Sequence, residues 1–245
     1  MANDIPADYA KTVCYPHFRA LLAEESSGRP WTWCELCPDT VVGFAPSGTG
    51  WSLAAHWAIY LFLWKQVYGA GADIPFPGTT KGYDARSTET SAGMLAEVAI
   101  WASLNPEAAG GKLFNVADSE TPGTMRERWP AIAGWFGLKG VEPDSETSIV
   151  GKPANLAAKV SGKNSHGVER PGDFIQKHKA LLVEAGVHGV EIWHAHQLDN
   201  YGYHLDFDRH LSLQKLRAAG FKPERKPEEG WFFVFEMMKK AKMIG

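Results

Sequence analysis

Between Thr12 and Phe44 the chain reads TVCYPHFRALLAEESSGRPWTWCELCPDTVVGF, and this run restricts the fold more than any other. Val13, Phe18, Leu21 and Leu22 recur at helical spacing with Glu24 and Glu25 on the solvent side, which predicts an amphipathic helix. Gly28-Arg29-Pro30 breaks it. Trp31–Cys37 then reads as a strand, ended by Pro38, whose nitrogen cannot donate to a ladder. Only eleven residues precede Thr12, too few for a strand, a glycine loop and a helix. The expectation is therefore a helix and strand whose companion sheet is mostly absent. The Met-Ala start and the closing FEMMKKAKMIG suggest a complete reading frame.

Downstream, Leu53–Tyr68 is apolar nearly all round and predicts a buried helix. Its most apolar run, Leu53–Trp64, falls short of the ~20 residues that span a bilayer. Ile74–Pro77 reads as a short edge strand, Thr79–Ser91 as a polar loop, and Ala92–Leu104 as a helix stopped before Pro106. Lys112–Ala117 is the next strand, and a helix follows that ends near Phe136-Gly137. Glu142–Lys163 has little pattern. Phe174–Ala185 is helical, Val190–His196 a strand or short helix, and Leu211–Ala219 a helix. The last helix, Trp231–Lys242, carries its lysines at the end where the helix dipole favours them.

The net charge of −3 gives no electrostatic case for nucleic acid or an anionic membrane. The acidic, polar MANDIPADYA is no signal or transit peptide. Three cysteines make no disulfide framework, so a cytoplasmic location is the expectation. Cys14, His17, Cys34 and Cys37 approach zinc-ligand spacing. Against it, residues three apart on a strand face opposite ways, and Cys14 falls at a helix start. No metal is expected. Ten tryptophans are a surplus that serves either a thick core or the walls of a pocket for flat apolar ligands.

The order of elements and the segments CYPHFRALL, WTWCELCPDTVVGF, FPGTTKGYD, FNVADSETPGTMRERWPAIAGWFGL and HLSLQKLRAAGF carry a family likeness over nearly the whole chain. The sequence resembles the C-terminal part of an extended short-chain dehydrogenase/reductase of the progesterone 5β-reductase/iridoid synthase type, most closely fungal members from secondary-metabolite pathways. The resemblance implies an α/β fold: a truncated Rossmann-like sheet in residues 1–50 and a mostly helical substrate-binding domain in 51–245, with Lys112–Ala117 returning to the sheet. It implies NADPH-dependent reduction of activated C=C bonds. Tyr15 falls on the family's catalytic tyrosine. Arg19 stands where ordinary relatives have lysine; this subfamily takes its lysine from an upstream segment that the chain lacks. Pro38, Val41 and Val42 fall where the family's backbone passes the nicotinamide. The glycine-rich loop has no counterpart, since Gly48-Thr49-Gly50 follows the wrong strand with the wrong spacing. No cofactor is therefore expected, NADPH being the alternative.

Tyr15 is the foremost catalytic candidate. A phenol near its reference pKa of ~10 needs a cation beside it, and Arg19 is one helical turn away. His56, inside an apolar helix, is a structural residue or a pocket acid/base. The segment WHAHQLDNYGYHLDFDRH offers His194 and His196 as proton carriers, with Trp193, Tyr201 and Tyr203 as walls. Phe44, Trp51, Trp57 and Tyr83 complete the expected pocket for a hydrophobic small molecule. Asp84 reads as a turn carboxylate bonding its own backbone.

The function expected is acid/base chemistry without a redox cofactor on a polycyclic or enone-type substrate: ring closure by hydroxyl addition, isomerisation or dehydration. The alternatives are an NADPH-dependent enone reductase present as a fragment and a non-catalytic binding protein. Phe18, Leu21, Trp33 and Leu36 would lose ~1.5–3 kcal/mol each if left in water, so a homodimer over that face is expected.

Overall fold

The structure is a computed structural model that describes residues 13–46, 52–144, 169–188, 198–199 and 201–245. Helix α1 spans Tyr15–Ser26. It starts three residues later than the pattern predicts, with Pro16 in the first turn, where a missing N–H costs nothing. Strand β1 is Cys34–Pro38 and β2 is Thr40–Val42. The prediction placed β1 at Trp31–Cys37. Its partner sets the difference: β1 lies parallel to β5, Lys112–Val116, in register from Cys34 opposite Lys112 to Pro38 opposite Val116. Trp31–Trp33 lie beyond the end of that five-residue ladder. Pro38 is the last residue of β1, where its missing donor matters least.

Helix α2, Leu53–Tyr68, is capped by Ser52, whose hydroxyl accepts from the Ala55 N–H. Strand β3 is Asp73–Pro75. The predicted loop Thr79–Ser91 is instead helix α3, Thr80–Asp84, followed by the buried strand β4, Glu89–Ser91. Its polar side chains misled the pattern because each finds a partner inside the protein. Thr79 caps α3 through the Gly82 N–H, Thr90 donates to the Val116 carbonyl, and Ser91 donates to Asp118. β4 pairs parallel with β2.

Helices α4, Ala92–Leu104, and α5, Pro106–Ala109, lead to β5. Helix α6, Met125–Trp135, opens on a capping box of Thr124 and Glu127. Strand β6, Lys139–Val141, pairs parallel with β3 and was not legible in the sequence. The predicted helix Phe174–Ala185 is two short ones, α7 at Pro171–Lys177 and α8 at Lys179–Glu184, interrupted at His178. Three more helices follow: α9 at Tyr201–His204, α10 at Gln214–Ala218 and α11 at Pro227–Lys240. No helix among the described residues is long and apolar enough to cross a membrane.

Two cores result. The larger joins α2, α6, α7 and α11 around Trp57, Trp129, Phe174, Trp231 and Phe235, all fully buried. The smaller packs Met94, Val98, Phe114, Val116, Leu216 and Phe221 against the half-buried Cys34 and Leu36 of β1. Helix α1 buries nothing: Tyr15, Phe18 and Leu21 are each more than half exposed.

Candidate functional site

Chemistry-bearing side chains gather where the chain leaves β1 and enters β2. Asp39, just after Pro38, forms an ion pair with Arg209 at 3.1 Å. Thr40, the first residue of β2, lies 3.4 Å from the Tyr201 phenol, oxygen to oxygen. The Arg209 guanidinium lies over the Tyr201 ring, 5.9 Å from its centroid. Burial raises the Tyr201 pKa above its ordinary value, so the group keeps its proton at neutral pH and serves as a donor. Its ring meets Trp57 edge-on at 5.6 Å, and Trp57 stacks on Trp231 at 5.1 Å.

Behind this wall the Trp231 indole N–H donates to Glu89 Oε2 at 2.9 Å. Arg128 donates to the Ser87 hydroxyl at 2.9 Å, and its Nε stands 3.9 Å from Glu89 Oε1. Glu89, the cross-strand neighbour of Thr40, is buried together with Arg128. A charge so placed is tolerated only beside its opposite. Ser87, Tyr201 and Arg209, with Phe76, Met125 and Leu205, enclose a cavity of about 10 Å³. A wider surface groove of about 840 Å³ lies at the opposite end of β1, lined by Arg29, Trp31, Trp33, Cys34 and Glu107.

His56 is fully buried on α2 and meets Asp199 at 3.0 Å through Nε2. The same carboxylate oxygen accepts from the Gly172 N–H at 2.6 Å. A Cβ at residue 172 would collide with that carboxylate, so glycine is required there. The pair ties α2 to the start of α7 and to the residues just before α9, which holds Tyr201 in place.

Of the expected site residues, His56 and Trp57 are neighbours on α2 and Tyr201 packs against Trp57. Tyr15 is 59% exposed at the start of α1 and makes no hydrogen bond or ring contact among the described residues. Arg19 does not serve it. Its guanidinium binds both oxygens of Glu35 on β1, the second at 2.8 Å, and lowers the Glu35 pKa. A carboxylate within reach on the neighbouring strand outcompetes a neutral phenol. Asp84 does not bond its own backbone; it pairs with Arg126 at 2.7 Å, and Arg126 lies over the Tyr83 ring.

Tyr83 packs on Phe76 and Tyr203 lies under Arg170, so both serve as core residues in this arrangement. Phe44 packs against the larger core, and Asp206 is buried with Lys81 at 3.8 Å. Pro38, Val41 and Val42 frame the Asp39–Thr40 turn, with Val41 exposed and Val42 buried. Trp51, Trp193, His194 and His196 lie outside the described residues. Asp39, Glu89, Arg128 and Arg209 carry no signal in the sequence, because isolated charges read as surface until their partners are known.

The cysteines Cys14, Cys34 and Cys37 are free thiols, and no three metal-ligating side chains gather among the described residues. At the long helices that follow strands a pyrophosphate would meet caps already in place: one first-turn N–H of each of α2, α4 and α6 is engaged by Ser52, Ser91 and Thr124 respectively. The carboxylates of Asp118 and Glu127 stand beside two of those ends and would repel a phosphate.

Comparison with known proteins agrees with this architecture. The chain is 30% identical to the short chain dehydrogenase ausT of Aspergillus calidoustus over 244 residues, covering 98% of this chain and 55% of the relative. It is 25% identical to the short chain dehydrogenase sirQ of Leptosphaeria maculans over 224 residues, 90% of this chain and 52% of the relative. An (S)-8-oxocitronellyl enol synthase of Nepeta racemosa is 29% identical over 139 residues, 57% of this chain and 34% of that enzyme. The chain spans about half the length of the fungal relatives it matches. The PRISE-like Rossmann-fold domain matches residues 2–245, and with its short parallel sheets flanked by helices the chain belongs to that family.

Proposed function

We propose that this chain performs acid/base chemistry, without a redox cofactor of its own, on a flat apolar substrate that carries a conjugated carbonyl. A polyketide- or terpenoid-type enone is the class in view. The observation that carries this reading is the junction of aromatic ring and polar groups beside β2: the Tyr201 ring, backed by the buried Trp57, stands beside the Thr40 hydroxyl and the Arg209 guanidinium. In ring closure a substrate hydroxyl oxygen bonds to the β-carbon of the enone. The C=C electrons move to the carbonyl oxygen, and the hydroxyl proton leaves to solvent or to a protein base. The resulting enolate is held by hydrogen-bond donors until its α-carbon takes up a proton. Tyr15 is the proposed acid, on the family likeness of its position.

A general acid contributes about 10²–10⁴-fold, so Tyr15→Phe should lower turnover of a cyclic enone far more than it weakens binding. Undiminished turnover by Tyr15→Phe, with no reduced nicotinamide present, would remove Tyr15 from the mechanism. NADPH-dependent enone reduction is the second reading. The two fungal relatives named short chain dehydrogenases favour it.

A further inference from the structure

Strand β1 has one edge in use and one open. The Trp33 carbonyl accepts from the Gly111 N–H, so the backbone at residue 33 points toward β5. Backbone direction alternates along a strand, which turns Glu35 and Cys37 toward β5 and leaves Cys34, Leu36 and Pro38 facing outward. Pro38, opposite Val116, fits that assignment because it has no N–H to offer a ladder. Among the described residues no hydrogen bond meets the outward N–H groups of Cys34 and Leu36, and β1 is half-buried along its whole length. Side chains alternate between faces as well. Those of Cys34 and Leu36 pack on the smaller core, while Glu35 lies on the other face, where Arg19 of α1 binds it. A parallel sheet is ordinarily covered on both faces. Here the open edge adjoins the bare apolar stripe of α1, on which Phe18 and Leu21 are each more than half exposed.

We propose that β1 pairs antiparallel with β1 of a second copy of the chain, about a two-fold axis through Leu36, so that one continuous sheet runs through a dimer. A second copy is the occupant because one symmetry operation covers both exposed features. An open strand edge is complementary to its own copy when the two run antiparallel, and an axis perpendicular to the sheet keeps both α1 helices on one face, side by side. Charge sets the register. Outward-facing residues must meet, and two registers use both Cys34 and Leu36. One sets Glu35 against the partner's Glu35, and like charges directly opposite are destabilising. The other sets Leu36 against the partner's Leu36, Cys34 against the partner's Pro38 and Glu35 against the partner's Cys37. Leu36 then exchanges both its hydrogen bonds with its copy, and the Cys34 N–H donates to the partner's Pro38 carbonyl. Carried one residue further, this register sets Asp39 opposite the partner's Trp33, so the groove of one copy adjoins the Asp39–Thr40 turn of the other. The pairing does not depend on the reaction that the chain performs.

A displacement of two residues along the strands and one strand spacing across put the two Cys37 side chains ~8 Å apart on the same face. Bismaleimidoethane, a short thiol cross-linker, should therefore join the unaltered chain into a covalent dimer through Cys37, identified by peptide mapping. Mildly alkaline buffer is used, because burial raises the Cys37 pKa. On exposure to diamide, Glu35→Cys should form a disulfide-linked dimer, its new thiol bonded to the partner's Cys37 at the spacing of a directly opposed antiparallel pair. Leu113→Cys is the control. Leu113 stands in register with Glu35 on β5, one strand further from the axis, and should give no link to the partner's Cys37. Cys34→Pro removes the outward N–H at the first residue of the strand and should weaken dimerisation about tenfold in sedimentation.

A monomer at micromolar concentration would overturn the proposal. So would a dimer in which neither reagent links Cys37, since the contact would then lie elsewhere, on α1 alone for instance. Equal cross-linking of Glu35→Cys and Leu113→Cys, or a dimer that Cys34→Pro leaves as tight as before, would overturn it too. If Glu35→Cys fails to fold once Arg19 has lost its carboxylate, the bismaleimide result on the unaltered chain decides.

Discussion

Helices α1 and α2 are both rich in apolar side chains, yet they end in opposite states. From Leu53 to Leu63 every residue of α2 except Ala55 is buried, under α7 and α11. On α1 no residue is buried, although Phe18, Leu21 and Leu22 form a helical stripe of the same character. The difference lies in what the rest of the chain brings. Trp231, Phe174 and Trp129 reach α2 from distant positions, whereas the main tie from α1 to the sheet is Arg19 to Glu35. An apolar stripe thus marks a face that needs cover, and only the tertiary structure says whether the cover is present. We propose that a second copy of the chain supplies it for α1.

The contrast is broken most strongly at Trp57. Trp57→Ala should cost about 3–5 kcal/mol in denaturant unfolding, because it empties the centre of an aromatic cluster. A loss below 1 kcal/mol, roughly that of an exposed site, would mean that the α2 core is not as packed. Next comes His56→Leu, which removes one of the hydrogen bonds to the buried Asp199 carboxylate and leaves that from the Gly172 N–H; it should cost about 1–3 kcal/mol.

Phe18→Asp sharpens the other side. With α1 bare in solution it should leave unfolding within about 0.5 kcal/mol of the unaltered chain. If a second copy covers α1, light scattering at micromolar concentration should show a dimer that this substitution dissociates, with about 1.5–3 kcal/mol lost for each large apolar side chain uncovered.

The smallest effects are in the pH dependence. Glu35 has its pKa lowered by the hydrogen bonds from Arg19, so its contribution to stability is present above its ordinary value of 4.5 and is lost as pH falls. Burial raises Asp118 above its ordinary value of 3.8, so its contribution is present in acid and is lost as pH rises through the raised value. Melting temperature against pH should therefore fall less steeply toward acid in Glu35→Gln. Asp118→Asn should lose the opposing trend. Identical acid limbs in Glu35→Gln and the unaltered chain would show the Arg19 contact to be too exposed to matter.

Much of this architecture is legible in the sequence, for reasons that differ by element. The bounds of α2 and α4 follow from continuous apolarity and from caps at Ser52 and Ser91. Strands β4 and β6 were missed because each is three residues long and exists only by pairing with a distant partner. At the candidate site, His56 and Tyr201 stood out as unusual residue types in their segments. Arg209 and Asp39 did not, since their meaning arises from a contact across 170 positions of sequence. Arg19 was assigned to Tyr15 by helical spacing, and the strand beside it offered Glu35, which a helix-only view leaves out.

The central claim is that the chain's own chemistry is acid/base rather than redox, and NADPH titration tests it most directly. The purified chain is titrated with NADPH while nicotinamide fluorescence is followed, and turnover of a cyclic enone is measured with and without the cofactor. The expected result is no saturable fluorescence change and a turnover that NADPH does not alter. Saturable binding at micromolar concentration, together with enone-dependent oxidation of NADPH, would contradict the account and make the chain a reductase.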